Sequence, residues 1–141
     1  MIRYLFVSLL LTTVGISTAF AANLSVQISG LPNDKGLVRC GLFSGSDGWR
    51  DESRAVQLFN AIIERDKAVC LFEDVSPGTY AVAVFHAEHG EDRVSYGFLG
   101  KPRQGVGFSN NPSITFGAPG FDEASFKLGQ SDLDLSIEMK Y

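Results

Sequence analysis

Thirteen consecutive residues, Asp74 to His86 (D-V-S-P-G-T-Y-A-V-A-V-F-H), restrict the possible folds more than any other stretch of this chain. Ser76-Pro77-Gly78 is turn chemistry, because proline presets φ and glycine takes positive φ without a steric cost. The residues that follow are β-branched, aromatic or small, with no breaker among them, which describes a buried strand rather than a helix. Tyr80 stands two residues past the turn glycine, where the tyrosine corner of a β-sandwich places the phenol that hydrogen-bonds back to the backbone. One strand is thereby placed, and the others can be counted from it.

Leu24 to Ile28 alternates apolar and polar residues, as a half-buried strand does. Gly30 to Gly36 is a turn, and Leu37 to Phe43 is a second strand with Val38, Cys40 and Leu42 on one face, Arg39 and Gly41 on the other. A Gly/Ser/Asp loop carrying Trp49 follows. Val56, Phe59 and Ile63 fall at helical spacing, but the same stretch also fits a two-residue period. We assign a short helical turn at Glu52–Val56 and a strand at Leu58–Arg65. Arg65-Asp66-Lys67 reverses the chain into Ala68–Glu73, and Tyr80–His86 follows the Pro77-Gly78 turn. From Gly97 to Gly120, glycines and Pro102, Pro112 and Pro119 are interleaved with Phe98, Phe108 and Phe116. That is too broken for long elements and too aromatic for a disordered linker. It reads as a long ordered loop held by its own phenylalanines, with one short strand near Ser113–Phe116. Ala124–Leu128 and Leu133–Tyr141 complete the set. In the last, Leu133, Leu135, Ile137 and Met139 face one way. Six to eight strands with little helix predict an all-β, antiparallel β-sandwich.

The N-terminus reads as something other than fold. Met1-Ile2-Arg3, the apolar run Tyr4–Leu11 and the small-x-small Ala19-Phe20-Ala21 form a secretory signal peptide over residues 1–21. Polar interruptions make a retained membrane anchor the poorer reading, and no cysteine near the cleavage point supports a lipid anchor. Residues 22–141 then form a single domain. Removing Arg3 from 12 basic residues leaves 11 against 16 acidic, a balance of −5. Without a Lys/Arg stripe, that balance argues against nucleic acid or an anionic membrane as partner. Export to a periplasmic or secreted location invites a disulfide between Cys40 and Cys70; two separate buried thiols are the alternative.

The blocks G-L-P-N-D-K-G-L-V-R-C-G-L-F, F-E-D-V-S-P-G-T-Y-A-V-A-V-F-H, F-L-G-K-P-R-Q-G-V-G-F-S-N-N and F-G-A-P-G-F-D-E-A-S-F resemble the bacterial secreted proteins grouped as domain of unknown function 2141. The resemblance spans nearly all of residues 22–141. It implies a transthyretin-like or immunoglobulin-like sandwich and no particular activity. In that family the histidine is often followed by Asp-Glu-Asn-Gly-Asn-Gly-Lys-Leu-Asp, similar to an oxygen-rich calcium loop. Here Ala87 and Ser95 replace the outer aspartates and Arg93 adds positive charge, so calcium affinity does not carry over.

Two constellations are dense enough to carry chemistry. His86 and His89 with Glu88, Glu91 and Asp92 form a weak metal candidate; a hydrogen-bonded His86 beside a solvated acidic loop is the preferred account. Tyr96, Phe98, Phe108 and Phe116 with Asn110 and Asn111 could instead recognise an amphipathic ligand, although rings closing the open end of the sandwich is the more economical account. Ser109 beside two asparagines reads as turn capping rather than a nucleophile, and Asp122-Glu123 and Asp132/Asp134 as solvated carboxylates. The expectation is an exported non-enzymatic module, without cofactor, whose ligand or envelope-protein partner meets His86, Tyr96, Phe108, Asn110 and Asn111. The alternatives are a metal-binding protein or metal-dependent enzyme using His86 and His89, and a structural envelope protein.

Overall fold

Alternation becomes eight strands among the described residues: β1 (Ala22–Ser29), β2 (Leu37–Phe43), β3 (Gln57–Ile62), β4 (Ala68–Val75), β5 (Gly78–Ala87), β6 (Val106–Phe108), β7 (Ser125–Leu128) and β8 (Leu133–Glu138). The computed structural model describes residues 14–16 and 20–141, so the signal-peptide reading of residues 1–21 lies mostly outside the described residues. Only single turns of helix interrupt the strands, two of them 3-10 turns at Glu52–Arg54 and Phe98–Gly100 and one α-helical turn, α1, at Phe121–Ala124. No helix among the described residues is long and apolar enough to cross a membrane.

The strands form two sheets, β4-β1-β8 and β3-β2-β5-β6, with β7 also pairing with β5. Every strand pair is antiparallel except β1–β8, which is parallel. That pair departs from a wholly antiparallel sandwich for a simple reason. β7 and β8 belong to different sheets, so the link between them carries the chain across the sandwich instead of folding it back beside itself.

The inner faces meet in a core of Leu24, Val26, Ile28, Val38, Leu42, Phe72, Val82 and Ile137. The two-residue period of β3 puts Ala61 and Ile63 into this core and leaves Leu58 and Ile62 exposed on the other side. Cys40 of β2 and Cys70 of β4, both inward, are bonded across the sheets with their Cα atoms 6.5 Å apart.

The turns are secured by side chains. Arg65 and Asp66 both adopt positive φ (53° and 60°) in the β3–β4 reversal, a left-handed pair that twists with the strands but suits glycine better. The Asp34 carboxylate compensates by accepting the backbone N–H groups of Asp66 at 2.7 Å and Arg65 at 3.0 Å. Those donors hold it below the usual carboxylate range. At the start of β5 the Tyr80 hydroxyl donates to the Ser76 carbonyl at 2.6 Å, completing the tyrosine corner. Tyr80→Phe removes only that bond, and thermal denaturation should report a loss of about 1 kcal/mol with the fold retained. An unchanged melting temperature would show that the corner is ornamental.

The long loop is held differently from the expectation. Its short strand is Val106–Phe108, whereas Ser113–Phe116 runs into an irregular turn. Of its phenylalanines only Phe108 is buried; Phe98 is 89% and Phe116 103% exposed. Polar side chains anchor it instead. Buried Ser109 accepts the Val82 N–H at 2.9 Å and donates to the Ala124 carbonyl. Asn110 donates to the Ser125 carbonyl at 2.7 Å, and Asn111 accepts the Glu138 N–H at 2.8 Å. These loop side chains pair backbone groups of β5, α1, β7 and β8, since an unpaired buried amide is costly.

Candidate functional site

A strand with water on one side alternates; β5 does not. Tyr80, Val82, Val84 and His86 point into the core, and Ala81, Ala83, Phe85 and Ala87 point to the other face, which is also covered. Over that outer face lies a second apolar cluster, in which Phe43, Phe85, Val106, Phe108 and Phe121 are joined by Trp49, Val94 and Ile114. Trp49 is its hub, with ring centroids 5.3 Å from Phe43, 6.1 Å from Phe108 and 5.8 Å from Phe121. Its indole N–H donates to the Pro119 carbonyl at 2.9 Å, tying the long loop to the sheet.

The cluster does not close over the middle of the sheet. Gly41 and Ala83 are direct cross-strand partners, and Ala83 in turn faces Phe108 on β6. Two minimal side chains between large rings leave a depression. The Phe43 ring leans over Gly41 so closely that a Cβ there would lie 2.7 Å from it. The result is an open cavity of about 410 Å³ walled by Phe43, Phe85, Val106, Phe108 and Ile114, a volume typical of small-molecule sites.

The polar groups are at the rim. Arg39, outward on β2, makes a two-pronged pair with Glu52, Nη2 to Oε2 at 2.8 Å and Nε to Oε1 at 3.3 Å. Its guanidinium lies 5.9 Å from the centre of the Phe85 ring. The hydrogen bond to Glu52 raises the Arg39 pKa further, so this cation is permanent. Glu52 is held in place by its own 3-10 turn, capped by Asp51, whose carboxylate accepts the Ser53 hydroxyl at 2.7 Å and backbone N–H at 3.0 Å. These two bonds lower the Asp51 pKa. Arg50, Asp92, Arg93 and Tyr96 complete the rim.

The five residues singled out by sequence do not converge. Tyr96 and Phe108 border the cavity. Asn110 and Asn111 stand outside its lining and tie backbone to backbone. His86 faces the opposite side of β5 and is fully buried. Its Nε2 lies 2.7 Å from the Lys35 carbonyl, which can only accept, so Nε2 carries the proton. Nδ1, 2.9 Å from the Tyr141 hydroxyl, therefore accepts from it. Burial pushes the Tyr141 phenol up to about 12, which keeps that donor proton in place. Gly105 makes room for the arrangement, since any side chain there would collide with the Tyr141 ring.

Both nitrogens of His86 are thus engaged, while His89 lies on an exposed turn 3.4 Å from Glu91. No group of three His, Cys, Asp or Glu side chains among the described residues is arranged to hold a metal ion. Sequence reasoning missed Arg39, Gly41, Glu52, Ala83 and Phe85 as cavity residues. A signal for them existed: the unbroken apolar run of β5 announces a strand covered on both faces, and an arginine and a glycine beside it mark where the cover is incomplete.

Comparison with known proteins adds a family and nothing finer. A family model described as an uncharacterised protein conserved in bacteria (DUF2141) matches residues 26–136. No curated protein and no solved structure matches the chain.

Proposed function

We propose a function from one premise: the chain belongs to the bacterial family DUF2141, whose description assigns no activity. In our reading the protein is an exported, non-enzymatic β-sandwich domain, residues 22–141, that holds an apolar small ligand on the outer face of its larger sheet. The carrying observation is the Gly41–Ala83 depression, bordered by aromatic rings and open to solvent. The Phe43 ring covers Gly41, but Ala83 beside it stays only half-buried, so the face is not closed at its centre.

Several features support the remainder. The signal-like N-terminus ends where β1 begins, at Ala22, and paired cysteines suit an oxidising compartment, periplasmic or extracellular. Ser109 and His86, the side chains with catalytic potential, are engaged in structural hydrogen bonds. A metal role for His86 and His89 gains nothing from that arrangement, because ligation would require breaking a buried bond.

The test is a titration with Nile red, an uncharged apolar dye whose emission brightens on desolvation. The native protein should enhance it saturably. Ala83→Leu, which fills the depression from its floor, should weaken binding at least ~10-fold, the range expected when a hydrophobic pocket loses a group's worth of space, with the circular dichroism unchanged. Equal dye binding by both proteins would refute the reading and leave a structural envelope role.

A further inference from the structure

The rim of the cavity carries three arginines (Arg39, Arg50 and Arg93) and three acids (Asp51, Glu52 and Asp92), which cancel in formal charge. They do not cancel in what they can still bind. Both Glu52 oxygens accept from Arg39. Asp51 accepts the Ser53 hydroxyl and N–H through Oδ1 alone. Asp92 meets the Nε of Arg93 at 3.4 Å and also adds to the field that favours the Arg39 cation. On the cationic side, Arg39 commits Nε and Nη2 to Glu52. The Arg50 side chain, by contrast, makes no hydrogen bond or ion pair with any of the described residues. Arg93 commits Nε alone, its side chain is 84% exposed, and neither terminal nitrogen has a partner among the described residues. Every acid at the mouth thus has a hydrogen-bonded partner while Arg50 has none among the described residues, so the unengaged capacity is weighted towards donors and positive charge. Below it the walls are hydrocarbon and aromatic carbon.

We infer that the ligand class of this cavity is a small amphipathic anion. Its apolar chain or ring lies on the Gly41–Ala83 floor between Phe43, Phe85 and Phe108, and its carboxylate is met at the rim by Arg50 and Arg93. Guanidinium forks match the two oxygens of a carboxylate and hold them with charge-assisted hydrogen bonds. A cationic head would meet acids that each already have a hydrogen-bonded partner, with one oxygen of Asp51 and one of Asp92 open. This inference rests on the cavity being a ligand site, as proposed above, and adds the identity of the head group.

Three probes of one chain length separate the two claims: octanoate, octanol and octylammonium. Trp49, the only tryptophan, reports occupancy, because it packs on Phe43 and Phe108, which line the cavity. At low ionic strength octanoate should bind about 5- to 10-fold more tightly than octanol, the range that two exposed cations provide, and octylammonium should bind most weakly. The double variant Arg50→Gln/Arg93→Gln, whose rim keeps three acids against Arg39, should no longer bind octanoate more tightly than octanol. Nor should the native protein in roughly 1 M salt, where screening reaches within about 3 Å. Equal affinities in the native protein, or a preference that survives the double variant, would overturn the head-group inference while leaving the cavity a binding site. If no probe perturbs Trp49 and Nile red does not bind, the cavity reading falls and takes this inference with it.

Discussion

Reduction of the Cys40–Cys70 bond is expected to lower stability by roughly 3–4 kcal/mol. The bond closes a loop between residues 30 positions apart, and the chain-entropy relation for a loop of that length yields this magnitude. For a chain of this size the loss amounts to roughly 10–15 °C in melting temperature. Its origin lies mainly in the unfolded state, which gains freedom when the link opens. Denaturant unfolding should therefore show a lower midpoint and a slightly steeper slope, as a more expanded unfolded chain exposes more surface. The position of the bond gives it a second consequence. Cys40 and Cys70 are inward residues of opposite sheets, so reduction removes a covalent tie between the two layers. Protein made in a reducing compartment should behave like the reduced form, which connects this measurement to the proposed site of action. Identical melting of oxidised and reduced protein would contradict the account, as would two titratable thiols in unreduced native material.

His86→Leu is expected to cost about 2–3 kcal/mol, because it strips partners from two groups at once. The Lys35 carbonyl loses its donor and the Tyr141 hydroxyl its acceptor, and the desolvation penalty of orphaned polar groups is of this order. Tyr141 should loosen along with the turn before β2, since His86 joins segments that are distant in sequence. Hydrogen exchange near Lys35 should accelerate and the Tyr141 phenol should titrate nearer its ordinary value. Octanoate and Nile red binding should persist in whatever fraction remains folded, because the ring faces away from the cavity. Lost binding in fully folded His86→Leu protein would restore this histidine to the ligand site and sink the structural role given to it here.

Much of the scaffold was readable before any coordinates, and the reason is local. Alternation in Leu24–Ile28 and Leu133–Met139, the Pro77-Gly78 turn and the tyrosine after it each act over a few residues, and each appears where the pattern put it. The Arg65-Asp66 reversal was equally visible as a break between two-residue periods. Its stabiliser, Asp34, was not, since it lies more than thirty positions away in the chain, at |i−j| of 31 and 32. The phenylalanines of the long loop misled because aromatic content shows that rings are available, not which of them find a surface. Phe108 pairs in β6 and is buried, while Phe98 and Phe116 stay in water.

The candidate site shows the division most sharply. Residue type alone determined that β5 is apolar on both faces, that Arg39 and Gly41 share a face of β2, and that the cysteines point inward. Only the tertiary structure decided that Gly41 and Ala83 stand opposite each other, that Glu52 swings back to engage Arg39, and that Arg50 and Arg93 are left without comparable partners. Strand periodicity is a property of neighbours along the chain, whereas a cavity is a property of register between strands and of loops returning from far away. The first is written in consecutive residues; the second exists only once the sheets have paired.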